Sequence, residues 1–189
     1  DYGRPAVEVL DSDVDRLMSR TGGRPVATDR IAPSRALEFW LTLSAFSFVL
    51  LASTVNVLTA VLALVGNLFY VLVYTRWLKR STPQNIVIGG AAGAVPPLVG
   101  YAAATGDLTV SALLLFAIVF FWTPPHFWAL ALLLKRDYAA AGVPMLPVVR
   151  GARRTTREIV FYSLVLVCVS ASPFLIGTLG VAYLVAALL

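Results

Sequence analysis

Five long apolar runs, separated by short polar connections, dominate the chain: roughly 37–53, 55–75, 85–105, 108–134 and 159–178. Each holds about 17–27 residues, the range of a tilted helix that crosses a bilayer. A sixth run, 179–189, closes the chain at about half the length needed to cross. The pattern predicts an all-α, polytopic transmembrane helical bundle. No long polar linker interrupts the runs, so residues 1–189 read as a single membrane domain, with 1–36 as a polar segment ahead of the first span. The chain opens on Asp1 rather than Met, without the pattern of a signal peptide, and closes inside an apolar run. Both features read as a fragment truncated at each end. Pro96–Pro97 and Pro124–Pro125 fall inside spans and predict kinks. Gly89 and Gly93 form a small-xxx-small pair, the signature of close helix packing.

Polar positions sharpen this picture. Arg4, Arg16, Arg20, Arg24, Arg30 and Arg35 precede the first span, and Arg76, Lys79 and Arg80 follow the second. Lys135, Arg136, Arg150, Arg153, Arg154 and Arg157 lie between the fourth and fifth, completing the 15 basic residues. The turns near Thr54, Thr105–Asp107 and Thr178–Gly180 carry none. The positive-inside rule then predicts three cytoplasmic basic loops. With 59 % hydrophobic and 13 % charged residues, and a mean hydropathy of +0.82, the chain is no ordinary soluble domain. A net charge of +5 and a pI near 9.7 would suit nucleic acid, but the placement of the charges argues for topology instead. The single cysteine, Cys168, excludes a disulfide framework and reads as a small buried hydrophobe.

The loops also carry candidate chemistry. Asp11, Asp13 and Asp15 stand together in D-S-D-V-D. If this stretch is helical, Asp11 and Asp15 lie one turn apart on one face. Mg2+ bridges one or two such carboxylates to substrate phosphates. Arg20 and Arg24 follow at the same four-residue spacing, and Lys79 and Arg80 come from a separate loop. Acids for a metal with bases for phosphate are what diphosphate binding requires. The plainer reading is a solvated charge cluster against lipid headgroups.

The segment D-S-D-V-D-R-L-M-S-R-T-G-G-R-P resembles the first aspartate motif of the UbiA prenyltransferases, in the branch that farnesylates heme. The resemblance continues in Y-T-R-W-L-K-R-S-T-P-Q-N (74–85), in I-G-G-A-A-G-A-V-P-P-L, and in W-T-P-P-H-F-W-A-L with D-Y-A-A-A-G-V-P-M-L-P-V-V-R-G. It covers roughly Asp11 to the C-terminus. It implies a bundle of about nine spans with Mg2+ and diphosphate near the cytoplasmic face. Asp11, Asp15 and Asp137 would be the metal and catalytic acids, with Asp13 a helper. Arg20, Arg24, Lys79 and Arg80 would neutralise the diphosphate, and Tyr74 would lie beside it. The implied reaction moves a farnesyl group from farnesyl diphosphate to a vinyl group of protoheme IX, giving heme O. Heme is then a substrate and Mg2+ the cofactor, with the downstream heme A synthase as a partner. The implied place is a cell membrane, or the mitochondrial inner membrane of a eukaryote. Three positions depart from the motif: Val7 replaces its asparagine and removes an amide, Ser12 an often basic residue, and Asp29 an often glycine position. Residues 1–10 do not look like the end of a spanning helix.

His126 is the only histidine. In an apolar helix a lone histidine is ordinarily packed with one hydrogen bond, yet intramembrane polar groups are functional candidates. The heme branch has histidine at this place, which implies a catalytic role at the acceptor site. Tyr70, Tyr74, Trp77, Tyr101, Trp122, Phe127 and Trp128 offer π faces to an allylic cation, against the ordinary roles of belt and packing. One rival is a UbiA-type enzyme acting on an aromatic quinone precursor. It usually has a richer second acidic cluster, whereas here Ala141 follows four residues after Asp137. The other is a transport or assembly subunit, which would need no aspartates in its loops. Sidedness is checked by labelling: an Arg153→Cys protein in sealed right-side-out vesicles should react with an impermeant thiol probe only after permeabilisation.

Overall fold

The computed structural model describes residues 3–18 and 20–188. Asp1 and Leu189, the two ends on which the fragment reading rests, and Ser19 of the aspartate motif lie outside the described residues. A short helix, α1 (Arg4–Leu10), turns at Asp11 into α2 (Ser12–Leu17). The long helices follow: α3 (Pro33–Thr54), α4 (Val57–Ser81), α5 (Asn85–Thr105), α6 (Val110–Leu133) and α9 (Gly151–Leu175). Between α6 and α9 come α7 (Lys135–Ala140) and α8 (Leu146–Val149), and α10 (Val181–Leu188) closes the chain. Five helices are thus long and apolar enough to cross a membrane. Among the described residues there is no strand.

Local chemistry sets the ends. Pro33 begins α3, where a missing N–H is harmless. Asn56 caps α4, its side chain accepting from Thr59 N at 2.8 Å. Gly106 and Gly177 close α5 and α9 with φ of 76° and 75°, conformations that suit glycine. The two proline pairs lie within helices that run on through them. Helix α9 starts at Gly151, ahead of the apolar run at Ile159, because its basic first turns are helical too.

Each spanning helix packs on its neighbour in sequence, with α5 on α6 and α6 on α9 the most extensive contacts. Gly90 lets α5 approach α6, since a Cβ there would stand 3.2 Å from the Thr123 side chain. Gly93 meets only Thr123 Oγ1 at 4.0 Å, so of the Gly89–Gly93 pair only Gly89 makes the expected close approach, to the Tyr74 ring of α4, while Gly90 makes the one to α6. Cys168 is exposed on α9, not buried as expected, because few residues of that helix face a neighbour. Val14 and Met18 join Ile86, Trp128, Tyr138, Val143, Met145 and Leu146 in one core, which ties the aspartate segment to the α6–α8 region. A second cluster of Ala6, Val7, Trp40 and Val71 holds α1 against α3 and α4. Residues 4–10 are therefore helical and packed, in a helix of seven residues.

Asn56 also donates through Nδ2 to the Ala102 carbonyl at 2.9 Å, joining α4 to α5. Asn56→Asp keeps the cap and loses this donor, whereas Asn56→Ala loses both. Thermal unfolding in detergent should show Asn56→Ala less stable by about 1–2 kcal/mol, with Asn56→Asp in between.

Candidate active site

The turn between α1 and α2 presents the three aspartates. Asp15 N donates to the Asp11 carbonyl at 2.7 Å, so the two side chains stand one helical turn apart. Three basic residues meet them. Lys79 Nζ donates to Asp11 Oδ2 at 2.6 Å. Arg80 forks onto Asp13, Nη1 to Oδ2 at 2.7 Å and Nη2 to Oδ1 at 2.6 Å. Arg24 Nη1 reaches both oxygens of Asp15, at 3.1 and 2.8 Å. Arg80 Nη2 also donates to the Leu10 carbonyl at 2.6 Å and stands 3.8 Å from Asp11 Oδ1. Three of the acids and three of the bases expected to serve separate roles are thus already paired with one another.

Burial grades the pairs. The Asp11 and Asp15 side chains are 1 % and 3 % exposed, that of Asp13 64 %. Burial, the larger influence, pushes the Asp11 carboxyl above its ordinary range, and Lys79 pulls it back. The fork from Arg80 holds the Asp13 carboxyl below that range. Asp11 Oδ1 is buried without a hydrogen-bond partner among the described residues. A buried anionic oxygen left in this state suits a hard cation, and Mg2+ needs only one or two carboxylates when phosphates complete its shell. Among the described residues no three His, Cys, Asp or Glu side chains gather around one point, so Asp137 is not drawn into a single cluster with Asp11 and Asp15. Asp137 lies on α7 beside Tyr138, whose hydroxyl also feels Arg20. Burial, with Asp137 adding to it, pushes that hydroxyl above its ordinary range, and Arg20 opposes them.

The bases arrive through an unusual helix. From Phe69 to Leu78, α4 widens to π-helical hydrogen bonding, and Thr75 Oγ1 donates back five residues to the Tyr70 carbonyl at 2.9 Å. Such widening recurs at functional sites. Here it precedes Lys79 and Arg80 and carries Tyr70 and Tyr74, stacked with centroids 5.6 Å apart at 15°. Both tyrosines lie within electrostatic reach of Asp11. They line a cavity of about 180 Å³ with Gly89, Gly93, Trp122 and Phe127. Tyr70 also borders a second, mainly apolar space of about 320 Å³ that runs to Val99.

His126 is exposed, stacked on Trp122 at 4.3 Å and edge-on to Phe127 at 5.4 Å, so it is not the packed histidine of the ordinary reading. Among the other aromatics, Trp128 is core and Trp77 is exposed, while Tyr101 meets the Thr109 hydroxyl at 2.6 Å. Val7 packs on Trp40 and Val71. Two features escaped the sequence. Asp29 adopts φ 57°, which accounts for glycine's fit at that position, and Arg16 holds it at 2.7 Å. Asn85, wholly buried, donates to the Lys79 carbonyl at 3.4 Å. The positive φ required by the turn was the only sequence-level signal, carried by the family's usual glycine.

The family model for the UbiA prenyltransferase family matches residues 8–189. The chain belongs to the UbiA prenyltransferase family. With its five apolar spans it is a multi-pass membrane protein. Curated relatives named protoheme IX farnesyltransferase include that of Roseiflexus sp. (strain RS-1), 57 % identical over 94 % of this chain and 33 % of its own length. Those of Symbiobacterium thermophilum and Gloeobacter violaceus are 58 % and 55 % identical over 92 % and 95 % of this chain, and over 58 % and 59 % of their own lengths. The chain thus spans from a third to somewhat over half of the relatives it matches. In fold it is similar to a UbiA homolog from Archaeoglobus fulgidus bound to GPP and Mg2+, with a TM-score of 0.77 at 18 % identity, covering 98 % of this chain and 65 % of that one. The DMAPP- and Mg2+-bound form of that homolog gives 0.72 at 20 % identity.

The pairing predicts a specific asymmetry in stability. Lys79→Met leaves the buried Asp11 carboxylate with no hydrogen-bonded counter-charge and only Arg80 at 3.8 Å, and should destabilise by about 2–3 kcal/mol, the lower side of the usual cost because Lys79 is 17 % exposed and Arg80 remains. Adding Asp11→Asn should recover most of that loss, whereas Arg16→Met, from an exposed pair, should change stability by under about 1 kcal/mol. Melting temperatures of the purified variants decide it; a double variant no more stable than Lys79→Met would refute the pairing.

Proposed function

We propose that the protein carrying this chain is a protoheme IX farnesyltransferase, that is, a heme O synthase. The observation that carries the reading is the interlocked set of Asp11, Asp13 and Asp15 with Lys79, Arg80 and Arg24, within electrostatic reach of the two tyrosines that line a cavity. Identity of 55–58 % to relatives of that name supports the choice of substrates.

In this reading Lys79, Arg80, Arg24 and Arg20 bind the diphosphate of farnesyl diphosphate, exchanging their aspartate partners for phosphate oxygens. Asp11 and Asp15 would hold Mg2+, with Asp137 as a second, separate acidic site for metal, and the metal would supply neutralising charge to the leaving diphosphate. The C1–O bond of the donor breaks and its electron pair leaves with the diphosphate, stabilised by the fixed bases. The vinyl π electrons of protoheme IX then form the new C–C bond. Water adds to the resulting cation and loses a proton, giving the hydroxyethylfarnesyl side chain. Tyr74 and the apolar bundle keep water from the allyl cation until that bond forms. His126, exposed beside Trp122 and Phe127, would serve the acceptor side. The basic loops face the cytoplasm of a bacterial cell, or the matrix of a mitochondrion. The product passes to heme A synthase.

The quinone-precursor reading is separated from this one by acceptor binding. The full-length protein should bind protoheme IX with a Soret band, and His126→Ala should weaken or shift that band while leaving diphosphate binding within about twofold. Asp15→Ala should nearly abolish turnover without loss of protein. No heme binding, together with prenylation of a hydroxybenzoate or naphthoate, would leave only the family assignment.

A further inference from the structure

Gly89 is where α5 packs tightly on α4, and what it meets there is a single side chain, the Tyr74 ring. A Cβ built there would stand 2.6 Å from Tyr74 Cε2 and 3.0 Å from Cγ, and closer still to Cδ2. Its neighbours behave differently: Gly90 faces Thr123, and Gly93 is open. One edge of the Tyr74 ring, Cδ2–Cε2, therefore lies against the backbone of α5 at this residue. Its other support is the stack on Tyr70. Held between these two, the ring forms the wall of the 180 Å³ cavity that faces Trp122 and Phe127. It lies below Asp11, within that carboxylate's electrostatic reach.

We propose that Gly89 is a positioning residue for prenyl transfer: it seats the Tyr74 ring, whose face then shields the allyl cation from water. The inference rests on the prenyltransferase reading above. Once the C1–O bond has broken, the cation has two fates. Vinyl π electrons can form a C–C bond, or water can form a C–O bond and release a proton, giving farnesol. A methyl group at position 89 displaces the ring from the wall, removing both the attractive π face and the barrier to water. The partition between prenylated heme and farnesol therefore reports the seat, which simple loss of stability would not move.

The test compares wild type, Gly89→Ala, Tyr74→Ala and the double variant in the full-length protein, with farnesyl diphosphate, protoheme IX and Mg2+. Prenylated heme, farnesol and released diphosphate are all measured. Gly89→Ala should lower kcat for prenylated heme at least tenfold and raise the farnesol share severalfold, with KM for farnesyl diphosphate within threefold. In the Tyr74→Ala background, where the clash is gone, Gly89→Ala should change neither quantity by more than twofold. Tyr74→Ala alone should raise the farnesol share, which keeps the proposal testable if Gly89→Ala does not fold. An unchanged partition in Tyr74→Ala, or an equal loss from Gly89→Ala in both backgrounds, would overturn it. If wild type makes no prenylated heme, the heme reading fails. Diphosphate release with water as acceptor then tests the seat by the same comparison of backgrounds.

Discussion

A lysine and an aspartate 68 residues apart meet at 2.6 Å, and the arrangement of the site follows from that contact. Asp11 is buried at the end of α1, where an uncompensated charge would be costly. Lys79 reaches it from the last turn of α4, and Arg80 beside it forks onto Asp13. These bonds hold the aspartate turn against the C-terminal end of α4. Hydrophobic packing of Val14 and Met18 on Tyr138 and Leu146 holds the same turn to the α6–α8 region. Charge and packing together gather three loops at one end of the bundle.

The same pairing gives the site its chemistry. Lys79, Arg80 and Arg24 are each already close to an acid, so in the proposed reading a metal–diphosphate ligand replaces contacts instead of creating charge balance from nothing. Metal would satisfy the carboxylates while phosphate satisfies the cations, and neither exchange alone leaves both sets compensated. Mg2+ and diphosphate are then expected to favour each other's binding, and by linkage the coupling is reciprocal. Asp11 Oδ1, buried without a hydrogen bond among the described residues, marks where the present balance is incomplete.

Below the charges the bundle changes character. The widened stretch of α4 presents two stacked tyrosines toward a small cavity, and glycine in α5 leaves room for one of them. Small residues in membrane helices are usually read as helix contacts. Here three glycines within one and a half turns of α5 have different neighbours: a ring at Gly89, a helix at Gly90 and open cavity at Gly93. Spacing in sequence cannot separate these cases, because it reports which residues share a face and not what lies opposite.

What the sequence determined alone was the part that depends on local properties summed over a segment. Length and apolarity are enough to mark five spanning helices, and the one-sided distribution of Lys and Arg groups their ends. The aspartate spacing put Asp11 and Asp15 on one face because a helical turn is a local structure. Tertiary structure decided everything that needs two distant segments. It chose Lys79 for Asp11, Arg80 for Asp13 and Arg24 for Asp15, where the sequence offered four bases and no pairing. It buried Val7 among Trp40 and Val71, exposed Cys168 and His126, and gave Asp29 a positive φ. Burial and ion pairing are properties of what surrounds a residue, and only the folded chain supplies the surroundings.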